Sequence, residues 1–90
     1  MIGIRREDKN RWERRAPLTP EHVAELTRHG VNVAVEPSTL RVFPDDAYRA
    51  AGARLVDDLS SCPLVLGVTE IPVEKLRAET AYFSFAPVTQ

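Results

Sequence analysis

The sequence predicts an α/β domain, with a Rossmann-like or flavodoxin-like parallel sheet of about five strands and flanking helices. Three observations predict it. Short apolar segments recur roughly every 10 to 20 residues with helix signals between the early ones, the rhythm of β-α-β units. Two of those helix signals are complete, one opening on Thr19-Pro20 and closing on Gly30, the other opening on Pro44-Asp45-Asp46 and closing on Gly52. The run Leu64-Val65-Leu66-Gly67-Val68 is apolar without alternation, as in a central strand covered on both faces. Ninety residues make one domain, 1–90, with a thin core.

In chain order, Ile2 and Ile4 flank Gly3 in a short buried strand that stops at a charge run. Glu7 to Pro17 has neither period and reads as an ordered loop. Thr19 is the N-cap of the first helix, Pro20 its first residue and Glu21 an acid in its first turn, with Leu18 and Val23 spaced as a hydrophobic staple. Val23, Ala24 and Leu26 face inward, the helix runs to His29, and Gly30 is its left-handed cap. Val31, Val33 and Val35 alternate with Asn32, Ala34 and Glu36, which predicts a strand with one face more buried, broken by Pro37-Ser38. Thr39 to Phe43 is a loop, and the acids Asp45 and Asp46 suit the positive end of the second helix. Arg54 to Asp57 forms a weak third strand and Asp58 to Pro63 a connection. Pro72 to Leu76 could form a helical turn, and Ala81 to Phe85 a fifth strand. In such sheets ligands sit outside the carboxyl ends of the strands, here Arg5-Arg6, Glu36-Pro37, Thr69-Glu70 and Phe85.

Charge singles out one stretch. The segment from Arg5 to Pro20 takes six of the 12 basic residues and three of the 13 acidic ones. It is therefore +3 and the remainder, with six basic and ten acidic residues, is −4. Positive charge gathered in a nearly neutral chain points to an anionic partner. There is no basic excess or aromatic interleaving for nucleic acid, and no apolar run of the roughly 18 residues a membrane span requires. The lone Cys62 excludes an internal disulfide, so a reducing cytoplasm is expected.

Arg14 and Arg15 are the best ligand candidates, because a guanidinium fork matches a carboxylate at two points. Arg15 stands four residues before the helix cap, where backbone donors could assist it. The alternative is that both form surface pairs with Glu7, Asp8 and Glu13, worth about 0–1 kcal/mol each. His22 and His29, seven apart on one helix, stand about 10 Å apart and cannot share a metal; His29 suits the helix C-terminus. The four glycines are scattered, without a G-x-G-x-x-G turn or a phosphate loop, so no cofactor site is expected in this chain.

The stretch Arg5 to Pro20, with Trp12-Glu13-Arg14-Arg15-Ala16-Pro17-Leu18-Thr19-Pro20 at its core, resembles the opening of the lysine–ketoglutarate reductase part of aminoadipic semialdehyde synthases. More broadly the chain is similar to the N-terminal domain shared by saccharopine dehydrogenase, alanine dehydrogenase and nicotinamide nucleotide transhydrogenase. The similarity continues through Val35-Glu36-Pro37-Ser38, Arg41-Val42-Phe43, Tyr48-Arg49-Ala50-Ala51-Gly52-Ala53, Leu66-Gly67-Val68 and Phe83-Ser84 to Gln90.

The resemblance implies the truncated substrate-side domain of an oxidoreductase that joins lysine to 2-oxoglutarate and reduces the imine to saccharopine, or runs the reverse. NAD or NADP, and the missing nucleotide-binding domain, would belong to a full-length parent. It places a carboxylate-gripping arginine at Arg15 and a lysine near the site at Lys9. The candidate substrate-binding set is thus Arg15, Arg14, Lys9, Glu70 and Gln90, with lysine, 2-oxoglutarate or saccharopine as the small-molecule partner. Two departures stand out: Thr69 and Phe85 occupy the positions of the family's lysine and histidine, and neither titrates near neutral pH. The isolated chain is therefore expected to be inactive. An alternative is a non-catalytic module that binds an amino or keto acid or a protein partner. A further one is an alanine dehydrogenase-like piece, and a homodimer across an exposed sheet edge is possible.

Overall fold

The computed structural model describes residues 1–7, 14–69 and 76–84. Within them the elements run β1 (Ile2–Ile4), α1 (Pro20–Arg28), β2 (Val33–Val35), α2 (Asp45–Ala50), β3 (Arg54–Leu55), β4 (Leu64–Gly67) and β5 (Ala81–Ser84). The strands form one sheet in the order β3-β2-β1-β4-β5, every pair parallel. Of the two strand orders left open by the sequence, this is the Rossmann one. The chain steps outward from β1 to β2 and β3, then returns to the far side of β1 for β4. The crevice where ligands are expected in such sheets therefore opens between the carboxyl ends of β1 and β4.

Helix α1 starts where Thr19 places it. The Thr19 hydroxyl accepts from His22 N at 3.1 Å, and His22 Nδ1 accepts from Thr19 N at 3.4 Å, a reciprocal capping box with histidine in the usual glutamate position. The helix stops in a Schellman motif: Gly30 (φ 84°) donates to Thr27 O and Val31 to Leu26 O. His29 Nδ1 lies 2.9 Å from Glu25 O, at the helix C-terminus as the sequence suggests. Because the Val31 N–H serves that cap, β2 begins only at Val33. All three β2 residues are buried, so the expectation of one more-buried face gives way to a strand covered on both sides.

Two apolar clusters account for that burial. One joins Ile4, Val33 and Val35 to Val23 of α1 and Tyr48 of α2, with Leu18, Leu26 and Phe43 packed around them. The other joins Ala34 and Val65 to Cys62, with Val56, Leu59 and Tyr82. Gly3 stands in register with Ala34 and Val65. A Cβ on it would lie 3.0 Å from Cys62 Sγ and 3.2 Å from Leu59 Cδ2, so the 56–63 connection packs flat only over a glycine. Gly3→Ala is expected to lower stability by about 1–3 kcal/mol through overpacking, read as a lower urea midpoint at unchanged slope.

Two further strands, β3 and β4, are shorter than the sequence suggests. β3 has two residues instead of four, and β4 ends at Gly67 because the Val68 N–H leaves the ladder for a side-chain acceptor. β5 is described from Ala81 to Ser84; Phe85, and all but Leu76 of the proposed Pro72–Leu76 turn, lie outside the described residues.

Candidate functional site

At the carboxyl ends of β1 and β4, Arg5 and Glu7 follow directly from β1 and both are buried. The Glu7 carboxylate accepts from Val68 N at 2.8 Å through Oε2, and from Thr69 N at 2.9 Å and the Thr69 hydroxyl at 2.6 Å through Oε1. An Arg5 guanidinium nitrogen stands 3.5 Å from Oε1 and also donates to Arg6 O at 2.9 Å. Two backbone N–H groups, a hydroxyl and a guanidinium thus meet the lone pairs of this buried carboxylate, which offsets the cost of burying it. The Ser84 hydroxyl donates to Val68 O at 3.0 Å, so the connection extends to β5. Gly67 makes the packing possible: a Cβ there would lie 3.1 Å from Arg5 Cδ and 3.5 Å from Glu7 Oε2.

On the β2 side, Arg6 N donates to Glu36 Oε1 at 2.9 Å and the Arg6 side chain to Pro37 O at 3.1 Å. Arg41 is buried over the Tyr48 ring, its guanidinium carbon 5.3 Å from the centroid, and donates to Glu36 O at 3.0 Å. Its other arm stands 3.5 Å from Asp45 Oδ1, which also accepts from Ser38 N. Burial pulls the Arg41 pKa down, against the opposing fields of Tyr48, Asp45, Glu7 and Glu36. Those carboxylates lie within electrostatic reach of Arg41, so the charges of β1, β2 and the 38–45 segment form one group. Ser38 Oγ accepts from Leu40 N and Arg41 N, which shapes this loop.

The loop in turn holds the arginines named from the sequence. Val42 N donates to Arg14 O at 2.8 Å, fixing the backbone where Arg14 and Arg15 project, and both residues are exposed. Lys9, Glu70, Phe85 and Gln90 lie outside the described residues. Thr69 is buried, with its hydroxyl committed to Glu7. One reading is corrected: Glu7 is not a surface partner for Arg14 and Arg15, because its carboxylate is buried against Arg5 and the end of β4. The sequence names Arg5 only as a strand end and Arg41 and Ser84 only within the resemblance, and gives none of them a structural role in the site. The only local hint was an acid two residues past an arginine at a strand end, whereas the Glu7–Thr69 contact spans 62 residues of chain.

The spaces beside Gly3 and Gly67 are filled by Cys62 and Arg5, leaving neither backbone open to a phosphate. Among the described residues no group of three or more His, Cys, Asp or Glu side chains could hold a metal ion, and no helix is long and apolar enough to cross a membrane.

Comparison with known proteins agrees with this architecture. Residues 3–90 match the family described as alanine dehydrogenase/PNT, N-terminal domain. The chain is 44% identical over 86 residues to the mitochondrial alpha-aminoadipic semialdehyde synthase of Bos taurus and 42% identical over 86 residues to that of Rattus norvegicus. Each match covers 96% of this chain and 9% of the relative. It is 36% identical over 91 residues to the saccharopine dehydrogenase [NAD(+), L-lysine-forming] of Emericella nidulans, covering 94% of this chain and 24% of that protein. The chain thus spans a small fraction of the relatives it matches. Its parallel sheet and its match across nearly all of its length agree: the chain belongs to the alanine dehydrogenase/PNT N-terminal domain family.

Proposed function

We propose that this domain is the substrate-side part of a saccharopine-forming or saccharopine-cleaving oxidoreductase, that it holds the carboxylate of an amino or keto acid at Arg15, helped by the cations Arg14 and Lys9, and that Glu70 and Gln90 contact other groups of the substrate. The observation that carries this reading is the anchoring of the Arg14–Arg15 backbone on the preformed 38–45 loop, beside the carboxyl ends of β1 and β2. Exposed guanidinium groups on a fixed backbone lose less entropy on gripping a carboxylate than arginines on a free loop. The names of the fungal relatives support lysine chemistry and NAD for a longer parent, which would supply the nucleotide-binding unit. The cytoplasm is our expected compartment, although the animal relatives are named as mitochondrial.

Calorimetric titration of the chain with saccharopine, lysine and 2-oxoglutarate tests the reading. Arg15→Ala is expected to weaken binding of the carboxylate ligand roughly 10- to 100-fold, the loss of a charge-assisted two-point contact. Equal binding by variant and parent would refute the role of Arg15.

A second reading, a non-catalytic binding module, is favoured by Thr69. Its hydroxyl is neutral and already bonded to Glu7, so it offers no proton-transfer group at that strand end. Oxidation of NAD(P)H in the presence of lysine and 2-oxoglutarate by a longer parent carrying Thr69 and Phe85 would remove this second reading.

A further inference from the structure

The buried hydrogen-bond chain at the crevice has a use beyond holding the sheet together. Glu7 roots the charged loop, and its carboxylate meets the first two N–H groups beyond β4. Ser84, at the end of β5, donates to the carbonyl of Val68, one of those same two residues. The carboxyl ends of β1, β4 and β5 are therefore joined through a single carboxylate and a single peptide segment. This happens at the topological switch point, where a ligand of a parallel sheet is expected. Both Val68 and Thr69 are buried, so the carboxylate points into the protein and is not offered to a ligand.

We propose that Glu7 is a positioning residue for the small-molecule site. Its carboxylate sets the backbone at Val68 and Thr69, where β4 ends, and the acidic ligand reads that geometry. The inference rests on the reading of Arg15 as a carboxylate ligand and deepens it. Three features support it. The carboxylate's backbone donors lie just beyond β4, 61 and 62 residues away in sequence, so the contact fixes tertiary and not local geometry. The Thr69 hydroxyl adds a directional bond at 2.6 Å that a valine of the same shape would lack. Gly67 leaves the room that the Arg5 stem takes beside Glu7, so the end of β4 packs closely against this contact. A site held to within a fraction of an ångström by such supporting bonds loses affinity when they are removed, even though they never touch the ligand.

The test uses the full chain and 2-oxoglutarate as the dicarboxylate probe, titrated well below each variant's thermal midpoint. Glu7→Gln is expected to weaken binding about tenfold. Thr69→Val, which leaves both backbone donors in place, is expected to weaken it about three- to tenfold, and Thr69→Ser, which returns the hydroxyl, to bind like the parent. A purely structural role would shift the melting temperature of Glu7→Gln and Thr69→Val while leaving the dissociation constant unchanged; that result overturns the inference. Should Glu7→Gln fail to fold, the contrast between Thr69→Val and Thr69→Ser decides alone, and equal affinities overturn it. Weakening by Arg15→Ala with none from Glu7→Gln or Thr69→Val sinks this inference only. Weakening by Glu7→Gln and Thr69→Val with none from Arg15→Ala refutes the arginine reading and, with it, the inference that rests on it. A parent that does not bind the probe overturns both.

Discussion

Replacing Tyr48 with alanine is expected to remove about 3–5 kcal/mol, a large share of the roughly 5–15 kcal/mol by which native proteins are stable. Tyr48 has no exposed surface and sits at the centre of the larger apolar cluster, edge-on to Phe43 with ring centroids 6.3 Å apart. Its hydroxyl donates to Leu18 O at 2.7 Å, tying α2 to the residue before the α1 cap, and its face carries Arg41. Alanine would leave a cavity, an unpaired Leu18 carbonyl and a buried guanidinium without its aromatic support. Tyr48→Phe keeps the packing and isolates the hydrogen bond, with an expected loss of about 1 kcal/mol.

The same side chain sets an alkaline response. Burial raises the Tyr48 phenol above the ordinary tyrosine value of about 10, and Arg41 opposes this only in part. The unfolded chain therefore ionises first. Stability from this group is complete below about pH 10 and is lost as pH rises from there through the folded-state value. Thermal melts across that window should show a fall in the parent that is shallower in Tyr48→Phe. Equal slopes would show that Tyr48 is not the group responsible.

Glu7→Leu is the second large effect, expected to cost about 3–5 kcal/mol because it strips a buried cation of its nearest described anion and leaves two buried backbone donors unmet. A second substitution separates the two contributions. Replacing a whole buried pair with apolar residues is often close to neutral, so Glu7→Leu with Arg5→Met should recover the part due to the lost Arg5–Glu7 pairing. It should not recover the rest, because Val68 N and Thr69 N still lack an acceptor, at about 1–3 kcal/mol each. Denaturant unfolding of the single and double variants measures this. Full recovery in the double variant would mean that the Glu7–β4 hydrogen bonds contribute nothing, in conflict with their distances.

These two residues also mark how far the sequence could be read. Tyr48 was placed on a helix by Pro44-Asp45-Asp46 before it and Gly52 after it, signals that act within a few residues through caps and backbone conformation. The Thr19 cap, the Gly30 stop and the unbroken apolar run of β4 were legible for the same reason. His22 as the reciprocal cap was not, since histidine rarely stands in for glutamate there. The resemblance carried by Trp12 to Pro20 pointed to the family and directed attention to the loop after β1.

Alone, the sequence determined the parallel α/β class, the order of the elements and the collection of positive charge ahead of α1, because these depend on periodicity, capping and composition. Only the tertiary structure decided that β4 returns beside β1, which turns Glu7 from one more acid in a charge run into the acceptor for the end of β4. It likewise decided that Arg41 is buried beneath the loop that carries Arg14. The physical reason is that a hydrogen bond between residues 7 and 69 depends on which strands become neighbours. That choice is made by the burial of two apolar clusters on opposite faces of the sheet and leaves no mark in the residues next to either partner.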